Sequence, residues 1–176
     1  MARTPRPGPF PAGRFVALAH RGGARLATNV GRENTLHAFT EATRLGYRHL
    51  ETDVHTTADG VLVAFHDSVL DRVTDARGTL SELPWSQVRQ ARIGGEPIPT
   101  LDEVLETFPE AVLNIDIKAP GAVEPLWRTL QHHGAGARVC VGSFSCRRLR
   151  AFRRLSAGTV ATSATSREVL LTRSGA

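Results

Sequence analysis

The stretch ETDVHTTADGVLVAFHD, residues 51–67, decides how the chain folds. It is strand-like on both sides of Asp59-Gly60, and Asp-Gly between alternating apolar residues signals a hairpin. The link is too short for a crossover helix, so the two strands run antiparallel. With Asp59 and Gly60 as the two turn residues, Ala58 faces Val61 and Asp53 stands opposite His66. The two-residue strand period places Glu51, Asp53 and His55 on one face. Carboxylates so close repel unless a cation or a proton intervenes, and a hard divalent cation such as Mg2+ or Ca2+ answers that need. The alternative is the solvated polar face of an edge strand.

Working outward, FVALAH (15–20) reads as a buried strand that ends at His20. A glycine-rich loop follows, and Asn34 is placed to cap the helix TLHAFTEATRL, which Gly46 stops. Downstream, SELPWSQVRQARI (81–93) reads as a helix, and TLDEVLETF (100–108) as another with a Thr100–Glu103 capping box. AVLNIDIK (111–118) is a strand, GAVEPLWRTLQHHG (121–134) a helix, ARVCVGSF (137–144) a strand and CRRLRAFRRL (146–155) a helix. GTVATSA (158–164) gives a short strand and SREVLLT (166–172) a last helical turn. Strand and helix alternate throughout, the mark of an α/β fold on a largely parallel sheet. Residues 1–14, rich in Pro, Gly and Arg, form an N-terminal arm, and 15–176 form one domain.

Two further clusters carry chemistry. In NIDIK, Asn114, Asp116 and Lys118 share a strand face. Polar residues at the end of a strand covered on both faces line ligand cavities, so Asp116 can be a third carboxylate ligand. Lys118 either neutralises an anion or holds Asp116 in place. His20 and His66 each close an apolar strand, where an imidazole can exchange protons near neutral pH. With Arg21 and a metal beside them, the set suits attack at phosphorus. Zinc ligation is disfavoured, because no His-x-x-x-His or cysteine-rich spacing occurs.

These residues resemble the glycerophosphodiester phosphodiesterase family. The matching elements are HRG at His20, ENT at Glu33, ETDVHTTADGVLVAFHD from Glu51, LDR at Leu70, NIDIK at Asn114 and GSFS at Gly142, in the family's order. The resemblance implies a TIM (β/α)8 barrel that hydrolyses glycerophosphodiesters, with a divalent metal, to glycerol 3-phosphate and an alcohol. It implies Glu51, Asp53 and Asp116 as metal ligands and His20 and His66 as the acid and base pair. Arg21 and Lys118 would contact phosphate, and Glu33 would share the pocket. The chain departs from the family's pattern at Arg32, where proline is common, and at Asp116, where many relatives carry glutamate.

The chain has 176 residues and a formal net charge of +5. A TIM barrel typically takes about 250 residues and rarely fewer than about 200, so the barrel reads as truncated after about six strands. Its open edges invite self-association. A catalytically silent fragment that binds metal or a partner chain is therefore one alternative, and a related phospholipase-type phosphodiesterase another. No apolar run spans a membrane and no secretory signal opens the chain, which points to the cytoplasm. The arginine-rich helix lacks the interleaved aromatics that stack on bases, which argues against a nucleic-acid partner.

Overall fold

His49–Thr56 forms β2, the strand around which the sheet is built. The computed structural model describes residues 8–11, 13, 15–165 and 168–170. Leu18–Ala19 (β1) pairs parallel to one edge of β2, and Val112–Ile117 (β6) pairs parallel to the other. Val139–Gly142 (β7) and Ala161–Thr162 (β8) continue the sheet in the order β1-β2-β6-β7-β8. Leu62–Ala64 (β3) folds back antiparallel on β2. Val54 is the register partner of both Ala64 and Ile117. Hence β3 lies on the β1 edge of β2, further along the strand. The sheet has the six strands expected, five of them parallel.

Helices join the parallel strands, as the winding of a barrel requires. Leu36–Arg44 (α1) follows β1, Val123–His132 (α4) follows β6, and Cys146–Leu155 (α5) follows β7. Between β2 and β6 stand Trp85–Val88 (α2), a hairpin of Arg92–Ile93 (β4) with Glu96–Pro97 (β5), and Leu101–Thr107 (α3). Their apolar faces meet the sheet in a main core that includes Phe39, Leu50, Leu113, Ile115, Leu126 and Phe152. A second cluster of Val63, Phe65, Leu70, Leu80, Val88 and Ile98 supports the insertion that carries β3. The Thr100–Glu103 capping box forms as expected.

Four expectations are corrected. The first strand is shorter than Phe15–His20: only Leu18 and Ala19 pair with β2, and Phe15 is exposed. The helix over 81–93 is reduced to α2, because Pro84 offers no N–H and starts the helix late, while Arg92 and Ile93 are drawn into the β4 hairpin. Thr35, not Asn34, caps α1 and accepts a hydrogen bond from Ala38 N. The Asp-Gly hairpin pairs Thr56 with Leu62, which makes a three-residue loop, Ala58 to Gly60, and shifts the register by one. Asp53 therefore faces Phe65, whose N donates to its carbonyl at 2.9 Å, rather than His66. The expected arm over 1–14 and the last turn over 166–172 lie largely outside the described residues.

Candidate active site

The turn after β1 sets two of the side chains singled out in the sequence, His20 and Arg21. His20 O accepts from Gly23 N and Ala24 N, which bends the chain sharply. The bend places Arg21 in the left-handed region at φ 50° and turns its backbone N toward Glu51, where it donates to Oε2 at 2.8 Å. Gly22 lies against α1, and a Cβ there would sit 2.9 Å from Phe39 Cδ1 and 3.0 Å from Ala38 Cβ. The buried Asn29 side chain donates to Gly22 O and Ala38 O, so the loop is tied to the helix it precedes.

The carboxylates converge because adjacent parallel strands align them. Asp53 pairs in register with Asp116, and Glu51 with Asn114. Glu51, Asp53 and His55 are all buried, since β2 is flanked on both edges, and the solvated-edge alternative is thereby overturned. Lys118 Nζ bridges Asp116 Oδ2 at 2.6 Å and Asp53 Oδ1 at 2.9 Å. Burial lowers its affinity for a proton, but these two partners prevail and raise its pKa. Asp53 Oδ2 accepts from Asn34 Nδ2 at 3.1 Å and lies 3.5 Å from Arg21 Nε. Glu51 is pushed up to about 7, by burial first and then by the charge of Asp53. Among the described residues two buried side-chain atoms have no hydrogen-bond partner, Asp116 Oδ1 and Arg21 Nε. As they stand, no three His, Cys, Asp or Glu side chains among the described residues are disposed to ligate an ion together.

His66 lies beyond the end of β3, with Nδ1 on Asp67 Oδ1 at 2.5 Å. His55 Nε2 is 3.1 Å from His66 O, which fixes the backbone there. Arg72 donates to both carboxylate oxygens of Asp67 and both of Glu33, and Glu33 Oε1 also accepts from Arg21 Nη1 at 3.0 Å. The hydrogen bond from Arg72 holds Asp67 down at about 2. Burial alone would raise Glu33, yet its two arginines carry it below the ordinary value. His20 stands at the rim, its Nε2 3.9 Å from Glu51 Oε2, and burial followed by the Arg21 charge lowers its pKa.

The eight residues singled out in the sequence, His20, Arg21, Glu33, Glu51, Asp53, His66, Asp116 and Lys118, are thus linked through contacts at one end of the sheet, His66 through Asp67 and Arg72. Sequence reasoning missed Asn34, taken for a helix cap, and the pair Asp67 and Arg72. Asn34 at φ 58° directs its side chain to Asp53 and accepts from Thr52 Oγ1. Past Asp116 the site opens into a cleft of about 550 Å3 lined by Glu51, Asn114, Gly142, Ser143 and Phe144 among others. Ser143 Oγ donates to Ile117 O and accepts from Arg148 Nε, which anchors the loop after β7.

Residues 20–171 match the Glycerophosphoryl diester phosphodiesterase family. The chain is 43% identical over 150 residues to the Probable glycerophosphodiester phosphodiesterase 2 of Mycobacterium tuberculosis, covering 85% of this chain and 56% of that protein. Among solved structures, it is similar to the glycerophosphoryl diester phosphodiesterase domain of another M. tuberculosis protein, with a TM-score of 0.78 and 26% identity over 89% of this chain and 61% of that one. It is also similar to an Oleispira antarctica phosphodiesterase solved with the product sn-glycerol-3-phosphate, with a TM-score of 0.76 and 27% identity over 84% of this chain and 64% of that one. These likenesses identify the sheet as part of a TIM barrel. The chain spans less than two thirds of the length of each of these relatives.

Proposed function

The chain belongs to the glycerophosphoryl diester phosphodiesterase family, and from that premise we propose that it is a phosphoric diester hydrolase that cleaves glycerophosphodiesters to glycerol 3-phosphate and an alcohol. One observation carries the proposal: three carboxylates on adjacent strands, Glu51, Asp53 and Asp116, meet two cations, Arg21 and Lys118, beside the His20 imidazole. The carboxylates outnumber the cations, and Asp116 Oδ1 is buried without a partner. Hard oxygen donors with surplus negative charge fit a divalent ion such as Mg2+ or Ca2+, which Glu51, Asp53 and Asp116 would hold. When bound, such an ion polarises a phosphoryl oxygen as a Lewis acid.

The chain's own groups supply the rest. Arg21, whose Nε keeps no hydrogen bond, and Lys118 bind the phosphate oxygens and stabilise charge that grows on them in the transition state. One imidazole of the His20 and His66 pair takes the proton of the attacking hydroxyl, that of water or of the substrate's own glycerol, and the other protonates the departing alcohol oxygen; where the glycerol attacks, water then opens the cyclic phosphate to glycerol 3-phosphate. Glu33 holds Arg21 in the pocket through Nη1. The test is release of glycerol 3-phosphate from glycerophosphocholine with Mg2+ or Ca2+, against EDTA. Release that EDTA stops supports the reading, and none from folded protein overturns it.

Residues 15–176 act as one domain behind an arm at 1–14. The free thiols of Cys140 and Cys146 suit a cytoplasmic location. Among the described residues no helix is long and apolar enough to cross a membrane. Exposure of Phe15 and Leu18 beside β1 supports self-association, which sedimentation at rising concentration checks.

A further inference from the structure

We propose that Arg72 is a positioning residue that sets the ring of His66 and the guanidinium of Arg21 at the same time. The inference rests on the reading of His66 as one of the two proton-transfer imidazoles. Arg72 sits in the loop after β3, 39 residues from Glu33 in sequence. Its Nε and Nη2 hold the two oxygens of Asp67 at 2.5 and 3.2 Å, while Nη1 and Nη2 hold the two of Glu33 at 3.1 and 2.6 Å. A planar fork that engages two carboxylates fixes their distance and their orientation, which a lysine cannot reproduce.

Each carboxylate then passes that order on. Asp67 accepts a hydrogen bond from His66 Nδ1, so the neutral ring carries its hydrogen on Nδ1 and keeps Nε2 for the reaction. Glu33 takes Arg21 Nη1 and so aims the phosphate-binding guanidinium. The chain Arg21, Glu33, Arg72, Asp67, His66 thereby joins the loop after β1 to the loop after β3. These loops deliver the two functional side chains, and no backbone hydrogen bond in either one spans the gap between them. Without Arg72, Asp67 and Glu33 face each other with no cation between them and the two loops part.

The test compares wild type with Arg72→Ala, Arg72→Lys and Asp67→Asn. Nitrogen-15 NMR of the histidine rings at alkaline pH reads the His66 tautomer, and kcat and KM for glycerophosphocholine are measured beside it. The expected result is a ring with hydrogen on Nδ1 in wild type and a tautomer mixture in R72A. The kcat of R72A falls about tenfold to a hundredfold, the cost of a misplaced group, with KM raised as Arg21 loses its aim and only partial recovery of both in R72K. An unchanged tautomer in R72A with wild-type kcat overturns the inference. If R72A fails to fold, R72K, which keeps the charge and removes the fork, decides: a tautomer mixture supports the relay, and an unmoved tautomer with wild-type kcat overturns it. If wild type releases no product, the functional reading fails, and the tautomer measurement still decides the coupling.

Discussion

Toward β1 and β3 the site is walled by ion pairs, whereas toward β6 and β7 it opens into a cleft whose floor is polar and whose rim is apolar. On the first flank Arg21, Glu33, Arg72 and Asp67 leave few donors or acceptors free, and Arg72 ties Asp67, five residues before it, to Glu33, 39 residues before it. On the second, Phe144 is 87% exposed, with Lys118 Nζ 5.7 Å from its ring centre. The difference teaches where accuracy is needed. In the proposed reaction a phosphoryl group and two travelling protons must be held within a fraction of an ångström, but an alcohol that only has to leave can be received by a loose apolar rim.

The comparison can be broken most sharply at His66. Replacing it with alanine removes the proposed proton donor or acceptor on the ionic flank and should lower kcat about 10²- to 10⁴-fold, read as glycerol 3-phosphate release. Next comes Asn34→Ala, which leaves Asp53 Oδ2 and Thr52 Oγ1 without their shared partner and puts alanine at φ 58°. The loss should be about 1–3 kcal/mol, measured as a lower urea midpoint at unchanged slope.

Acid gives a gentler test of the same flank. Asp67 is held at about 2, below the ordinary value of about 3.9. A depressed carboxyl contributes stability that is full above the unfolded value and is lost as pH falls through the folded one, so this contribution should vanish between about pH 4 and 2. Urea unfolding across that range should show a shallower fall for D67N than for wild type. The smallest effect belongs to the open flank. Phe144→Ser should leave stability within about 0.5 kcal/mol while changing the relative rates for substrates with apolar and polar alcohols.

Much of this was legible because short periods carry it. The alternation in HLETDVH and NIDIK put the three carboxylates and Lys118 on shared faces, and the spacing in CRRLRAFRRL gave a helix that runs over Cys146–Leu155. The failures have physical causes of the same kind. In the Asp-Gly hairpin Thr57 Oγ1 accepts from Val61 N and draws one more residue into the loop, an exchange of partners that a strand period does not record. Asn34 suits a helix cap and a left-handed turn equally well, and Thr35 took the cap. Arg72 finds its partners 5 and 39 residues away, across two loops whose approach only the folded sheet decides.

Gly22 gives the site an unusual vulnerability. The turn that presents His20 and Arg21 has no room for a methyl group against Phe39 and Ala38, and its φ of 73° disfavours any side chain besides. In a lineage descended from this chain, position 22 is thus a one-letter test of descent with the turn intact: a gene copy that has exchanged its glycine codon has let go of the turn, even where every carboxylate is still spelled out.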